Sequence, residues 1–296
     1  MPELPEVETI KRGLSRLVLN KPITKVIYDS PKSFPNSTVE VNRFLVGASV
    51  TTIERRAKVL IIELSSGYSL ITHLKMTGQL VYDGESVHFG GGHPSASLVD
   101  KLPDNTTRVI LSFNDGSKLY FNDQRKFGWM KLWPTAALKD FDFFKKLGPE
   151  PLADNFTWQM LRDSLSRRAR SAIKPAMLDQ HVIAGIGNIY ADESLWSAKI
   201  NPAAPVGALK IRDYRNLHRS IREVMNLSLL KGGSTDRNYV DAEGRRGSYL
   251  EFASVFRRES QPCPRCRNAI VKTRLAGRGT HYCPHCQKIP GQDSSI

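Results

Sequence analysis

Cys263-Pro264-Arg265-Cys266 and Cys283-Pro284-His285-Cys286 hold all four cysteines of the chain, with sixteen residues between the two pairs. Each pair can wrap one side of a tetrahedral metal, and two pairs at this spacing have the ligand pattern of a structural zinc site. Two disulfides would need an oxidising compartment, and no targeting segment directs the chain to one. A redox role fits less well, since two such motifs closing one short segment make better ligands than independent exchange centres. One zinc ion on Cys263, Cys266, Cys283 and Cys286 is expected, leaving His281 and His285 as surface histidines or phosphate donors. Between the pairs, alternation from Ala269 to Arg274, a glycine-flanked turn and a return to Tyr282 predict a β-hairpin with Arg278 at its tip. Arg278 is then either a solvated turn residue or a fixed donor fork for a phosphate.

Upstream of the cysteines, helical periodicity covers 156–165, 173–180, 191–198 and 211–230. The segment Val182-Ile183-Ala184-Gly185-Ile186-Gly187-Asn188-Ile189-Tyr190 carries glycines spaced for a close turn before a helix. Such a turn either meets a phosphate through its backbone N–H groups, with Asn188 adding a donor, or simply joins two helices tightly. The first part of the chain reads differently. A helix from residue 7 to about 19 precedes short β-rich runs at 23–28, 49–54, 59–64, 69–75, 108–113, 118–122 and 129–132. The predicted class is α+β: an N-terminal helix plus an antiparallel β-sandwich, then a helical part and the zinc-finger β-hairpin. Residues 83–105, with Phe89-Gly90-Gly91-Gly92-His93-Pro94, read as an irregular excursion matching no fingerprint. Pro134, Pro149 and Pro151 mark a linker between the two parts.

Forty-three Lys and Arg against twenty-nine Asp and Glu leave a net charge of +14, denser toward the C-terminal end. That balance suits a polyanionic partner. No apolar run approaches the ~20 residues of a membrane span, and the start has no signal-peptide pattern, so a cytoplasmic protein without membrane contact is expected.

The chain opens Met1-Pro2-Glu3-Leu4-Pro5-Glu6. Removal of Met1 would expose the secondary amine of Pro2 beside the carboxylate of Glu3. Free α-amino groups titrate near 7.7 to 8.0, so a neutral, nucleophilic fraction exists at physiological pH. Attack on an aldehyde-level carbon would give an iminium that acidifies the neighbouring C–H, which is lyase chemistry. Taken alone, the same stretch is also compatible with a frayed terminus.

Taken together, Met1-Pro2-Glu3-Leu4-Pro5-Glu6-Val7-Glu8-Thr9, Arg55-Arg56-Ala57-Lys58, His73-Leu74-Lys75-Met76-Thr77-Gly78, Leu147-Gly148-Pro149-Glu150-Pro151-Leu152, Ile173-Lys174-Pro175, Gly185 to Glu193 and the four-cysteine finger resemble the formamidopyrimidine-DNA glycosylase family. The resemblance runs from residue 1 to about Lys288. It implies a catalytic β-sandwich over 1–133, a linker over 134–155, a helix-two-turns-helix DNA-binding domain with a lesion-capping loop over 156–250, and a zinc finger over 251–290. It also implies a bacterial enzyme, acting as a monomer on damaged double-stranded DNA and associated with the nucleoid through that DNA. The target nucleotide would be flipped from the duplex. Pro2 would attack the sugar C1′ and Glu3 would manage protons through base excision and β,δ-elimination.

Further roles follow from the same resemblance. Lys58, Asn188 and Arg278 would grip phosphates around the flipped nucleotide, Lys58 and Arg278 counting with the catalytic set. Glu6 would line the lesion pocket, although by itself it could be a surface carboxylate. Met76, Arg125 and Phe127 would fill the vacated stack, with Arg125 reading the orphaned cytosine; from the residues alone Met76 and Phe127 could equally be core filler and hinge packing. Ser234, Thr235 and Tyr239, in a glycine-rich segment running to Gly247, would belong to the lesion cap; an ordinary flexible connection is the alternative. Preference is expected for 8-oxoguanine opposite cytosine and for formamidopyrimidines.

Three departures from the family pattern stand out. Gln124 replaces the usual proline, Lys126 a second arginine, and Thr106 and Arg108 lie where an HxH pair is common, so a phosphate contact is either replaced or missing. The competing readings are an endonuclease VIII-like enzyme for oxidised pyrimidines, a zinc-containing DNA-binding protein without catalysis and, more remotely, a Pro2-dependent tautomerase. Leu4 after Glu3, where the endonuclease VIII branch typically has glycine, favours the purine enzyme.

Overall fold

The computed structural model describes residues 1–234 and 249–289. The chain divides into two compact units. The first takes Met1–Lys145 and, among the described residues, 229–234; the second takes Lys146–Ser228 and 249–289.

The first unit begins with helix α1 (Leu4–Leu17). It starts three residues earlier than periodicity predicts, because Pro5 in the first turn has no helical N–H partner to lose. Strand β1 (Ile23–Tyr28) and helix α2 (Thr38–Phe44) follow; Ser37 caps α2 by accepting from the Glu40 amide at 3.2 Å. Then come β2 (Val50–Arg56), β3 (Val59–Leu64), β4 (Tyr68–His73), β5 (Gly78–Asp83), β6 (His88–Gly92), β7 (Thr107–Phe113), β8 (Lys118–Asp123) and β9 (Trp129–Pro134). Every pairing is antiparallel, giving one sheet in the order β1-β7-β8-β5-β6 and another in the order β2-β3-β4-β9. Their inner faces share one core: Leu60, Ile62, Leu70 and Leu132 from one sheet, Leu80, Val109, Leu111 and Phe121 from the other, with Val7, Ile10 and Leu14 of α1. The predicted helix and antiparallel sandwich are thus present.

Three elements are not legible in the sequence pattern: α2, β5 and β6. The glycine run of β6 obscures it, since glycine disfavours a strand in isolation. Close approach explains the glycines. A Cβ on Gly92, whose φ is +129°, would sit 2.4 Å from the Gly78 carbonyl oxygen, and a Cβ on Gly13 of α1 would sit 2.3 Å from the Phe89 ring. Gly92 thus lets β6 close on β5, and Gly13 lets Phe89 of β6 lie against the helix.

The stretch just after Pro134 is structured as well. A 3₁₀ turn (Thr135–Asp140) and helix α3 (Asp142–Lys145) lay Leu138, Phe141, Phe143 and Phe144 on Val59, Ile71, Trp129 and Trp133. This covers the outer face of the second sheet, and it explains why β3 is buried along both faces.

In the second unit, α4 (Trp158–Ser166), α5 (Ile173–Leu178), α6 (Asn188–Ser197) and α7 (Ile211–Leu230) precede the hairpin of β10 (Val271–Leu275) and β11 (Arg278–Tyr282). Gln180 braces the glycine turn ahead of α6, accepting from the Gly185 amide at 2.9 Å and donating to the Ile186 carbonyl at 2.9 Å. A buried carboxylate, Glu193 of α6, accepts from the amides of Ser254 (2.8 Å), Val255 (2.9 Å) and Phe256 (2.8 Å), fixing the approach to the finger.

Candidate active site and metal centre

The first turn of α1 gathers the expected catalytic residues. Pro2, Glu3 and Glu6 are all buried. The Glu3 amide donates to Glu6 Oε2 at 2.8 Å, and the Ser234 amide and hydroxyl both donate to Glu6 Oε1 at 2.8 Å. Glu6 is therefore a clamp joining the N-terminus to the stretch after α7, not a surface carboxylate. Thr235 and Tyr239 lie outside the described residues, as does the rest of the expected cap to Gly247.

Lys58 reaches the same place from the β2–β3 turn, where Ala57 has φ +55° and Lys58 is 5% exposed. Arg55 holds that turn onto α1, donating from Nε to Glu8 at 3.0 Å and from Nη1 to the Ala57 carbonyl at 2.9 Å. The α-amino group on Met1 feels the whole cluster: burial lowers its pKa, the charges of Glu3 and Glu6 oppose this, and Lys58 adds to the lowering. An amine here is shifted toward its neutral, nucleophilic form.

The expected wedge residues come from two adjacent turns at one end of the five-stranded sheet. Met76 is 36% exposed between β4 and β5, and Phe127 is 47% exposed between β8 and β9. Gly78 pairs with Asp123 across β5 and β8, and the Thr77 hydroxyl bonds the Asp123 carboxylate, tying the turns together. Asp123 also accepts from the amides of Arg125 (3.2 Å) and Gly128 (2.6 Å), so a wholly buried carboxylate shapes the loop that presents Arg125 and Phe127. The Arg125 guanidinium lies 4.8 Å over the Phe127 ring, which holds both side chains at the tip.

Arg108 faces inward, and Thr106 is half-buried with its hydroxyl engaged. Arg108 donates to Asp29 (2.7 Å), the Asp123 carbonyl (3.0 Å) and the Asn105 carbonyl (2.6 Å), and is 8% exposed. The Thr106 hydroxyl bonds Asp104 at 2.7 Å and Ser97 at 3.2 Å.

In the second unit, Arg278 opens β11 directly after the Ala276-Gly277 turn and is exposed. Below it lies a buried node. Lys174 Nζ reaches Asp192 (2.7 Å), the Gly279 carbonyl (2.7 Å) and the Thr280 hydroxyl (2.9 Å). Asp192 also accepts from the His281 amide at 2.9 Å, and its Oδ2 lies 3.3 Å from His281 Nδ1. The Asn188 side-chain amide donates to the Gly279 carbonyl at 3.0 Å. Asn188 thus braces the arginine-bearing hairpin from the first position of α6. His281 is 4% exposed, which corrects its reading as a surface histidine: the hairpin register aims it inward at Asp192.

The four cysteine sulfurs all lie within 4.8 Å of one another, Cys266 to Cys283 being 3.4 Å and Cys263 to Cys286 3.9 Å. A tetrahedral metal with sulfur ligands at about 2.3 Å gives edges of roughly 3.8 Å, whereas a disulfide would bring two sulfurs to about 2.05 Å. The cluster can coordinate a metal ion. Trp196 Nε1 donates to Cys263 Sγ at 3.4 Å and Asn268 Nδ2 to Cys266 Sγ at 3.5 Å, the outer contacts that suit thiolate ligands.

Sequence reasoning includes Arg55, Thr77, Lys174 and Asp192 only as members of motifs, and gives no role to them or to Asp123. Each acts through a partner distant in the chain, and no local spacing signals such a pair.

Comparison with known proteins agrees with this architecture. Residues 1–130 match the family model "Formamidopyrimidine-DNA glycosylase N-terminal domain", 147–239 the "Formamidopyrimidine-DNA glycosylase H2TH domain" and 260–289 the "Zinc finger found in FPG and IleRS". The chain belongs to the formamidopyrimidine-DNA glycosylase family. The formamidopyrimidine-DNA glycosylase of Pelotomaculum thermopropionicum is 41% identical over 98% of this chain and 100% of its own length. That of Enterococcus faecalis is 39% identical over 99% of each. Among solved structures, a Lactococcus lactis FPG mutant in complex with Fapy-dG containing DNA is similar at a TM-score of 0.85 and 33% identity, covering 97% of this chain and 100% of that one. A MutM complex with carbocyclic 8-oxo-G containing DNA is similar at a TM-score of 0.84 and 33% identity, with the same coverage.

Proposed function

We propose that this chain is a bifunctional DNA glycosylase and AP lyase that excises oxidised purines, 8-oxoguanine opposite cytosine and formamidopyrimidines among them. One observation carries the reading: the buried cluster of Pro2, Glu3, Glu6 and Lys58 around an α-amino group whose pKa is lowered. Family membership and the likeness to proteins crystallised on lesion-containing DNA support it.

After Met1 is removed, the Pro2 nitrogen attacks C1′ of the flipped nucleotide. The N–C1′ bond forms as the glycosidic bond breaks, and the base leaves with a proton. Opening of the sugar ring leaves an iminium between Pro2 and C1′. Loss of a C2′ proton then breaks the C3′–O bond, and a second elimination breaks the C5′–O bond. Water hydrolyses the iminium and returns the free amine. Glu3 is placed beside the amine to move these protons as acid and as base. Lys58 and Arg278 supply cationic contacts to the phosphates, and Met76, Arg125 and Phe127 fill the gap left by the flipped nucleotide. The four thiolates hold one structural zinc, with no open position for water or substrate.

Borohydride reduction during reaction with an 8-oxoguanine·cytosine duplex tests the proposal. A covalent adduct mapping to Pro2 is expected, with faster single-turnover excision than from an oxidised-pyrimidine duplex. Equal rates on the two duplexes would overturn the substrate assignment, and an undiminished adduct in Pro2→Gly the nucleophile.

A further inference from the structure

At the positions where the family commonly carries an HxH pair, the side-chain donors here are taken up within the protein. Arg108 is buried with donors on Asp29, Asn105 and Asp123, and the Thr106 hydroxyl is bonded to Asp104 and Ser97. The chain carries another histidine at the same end of the sheet. His93 is the first residue after β6, and its amide donates to the Gly78 carbonyl at 3.0 Å. Its carbonyl accepts from Gln79 Nε2 at 2.5 Å, and the same nitrogen reaches Ser95 Oγ at 2.7 Å. Gly92 pairs with Gln79, and Gly78 pairs with Asp123, so His93 stands beside the two turns bearing Met76 and Arg125 to Phe127.

The His93 backbone is pinned on both sides, while its half-buried side chain makes no hydrogen bond among the described residues. Burial lowers the imidazole pKa; the Met1 ammonium lowers it further, and Asp123 opposes this. The imidazole is therefore within electrostatic reach of the N-terminus as well as of the Asp123 carboxylate beneath the wedge loop. A neutral imidazole carries one N–H donor, which suits an anionic oxygen.

We propose that His93 donates a hydrogen bond to a backbone phosphate of the damaged strand next to the flipped nucleotide, taking over the role that the internally bonded Thr106 and Arg108 do not fill. The assignment rests on the reading of the chain as a DNA glycosylase. It gives the glycine-rich segment a function: with Gly92 leaving room for the Gly78 carbonyl, β6 closes on β5 and sets His93 beside the turns that bear the wedge residues.

The test is binding of the full-length protein to a duplex containing a tetrahydrofuran abasic analogue, which needs no chemistry. His93→Ala should weaken binding roughly tenfold or more, the loss of a hydrogen bond to a charged group. His93→Gln, which keeps a neutral donor, should stay within about threefold of wild type. In duplexes carrying a single methylphosphonate at each phosphate flanking the analogue in turn, one position should abolish the His93→Ala penalty. Wild-type affinity in His93→Ala, equal losses in both variants, or a penalty that survives every methylphosphonate would each overturn the proposal. If wild type itself does not prefer the analogue over undamaged duplex, the glycosylase reading fails first and this inference with it.

Discussion

Lys174 and Asp192 form an ion pair of 2.7 Å in which neither side chain is exposed to solvent. Two charges removed from water offset each other and gain further partners: Lys174 also reaches Gly279 and Thr280 of the hairpin, and Asp192 receives the His281 amide. The pair joins α5 and α6 to the strand that begins with Arg278. Breaking such a pair from one side leaves a buried charge without its partner and costs about 3–5 kcal/mol. Lys174→Met and Asp192→Asn should each lower stability by that order in urea unfolding, and should weaken binding of abasic-analogue duplex as Arg278→Ala does. Unchanged stability in both would remove the node from the account.

The lowered pKa of the α-amino group carries a sign for the reaction. Burial disfavours the charged amine, so the reactive neutral form accumulates at lower pH than in a free peptide. Adduct formation by the processed Pro2 enzyme should rise with pH through a midpoint below the usual 7.7 to 8.0 and then level off. Lys58→Met removes a charge that favours the neutral amine and should move the midpoint upward. A rapid-quench pH profile of borohydride trapping checks both statements.

His73 gives a stability prediction with the opposite consequence for acid. Burial, aided by the charges of Lys75 and Lys58, pushes its imidazole down to about 3, while Nδ1 accepts the Lys75 amide at 3.1 Å. The unfolded chain takes up this proton near pH 6.5, but the folded chain does not, so stability is full above the unfolded value. It should fall by about 1.4 kcal/mol per pH unit between roughly pH 6.5 and 3. His73→Asn keeps an acceptor without the titration and should flatten that part of the profile. Urea midpoints measured between pH 5 and 7 decide it.

The loop bearing Arg125 and Phe127 depends on Asp123. Phe127→Ala should slow excision on the order of tenfold, because unstacking a base costs a few kcal/mol that the wedge offsets in part. Asp123→Ala removes the anchor for the amides of Arg125 and Gly128 and should reduce discrimination between cytosine and adenine opposite the lesion. Single-turnover rates on the two duplexes give both answers, and an Asp123→Ala enzyme with wild-type discrimination would defeat the anchor.

Elemental analysis should find one zinc per chain, and Cys266→Ser should lose it together with finger structure. Arg278→Ala should retain zinc and reduce the slope of log K against log salt by about 0.9, the share of one phosphate contact. An unchanged slope would remove Arg278 from the phosphate set.

Local pattern determined a good deal. The spacing of Cys263, Cys266, Cys283 and Cys286 and the Ala276-Gly277 turn defined the hairpin, and alternation located most strands, because ligand spacing and period-two burial are properties of short segments. Glycine-rich β6 was illegible, since Gly92 is required by the Gly78 carbonyl and Gly13 by the Phe89 ring, contacts set by partners far along the chain. The motifs likewise named Pro2, Glu3, Lys58 and Arg278 but not what holds them. Only the tertiary structure paired Arg55 with Glu8, Ser234 with Glu6 and Lys174 with Asp192, and only it turned Arg108 inward and placed His93 beside the wedge turns. A charge or polar group buried on folding must find its partner wherever the chain delivers one, and sequence separation carries no record of that distance.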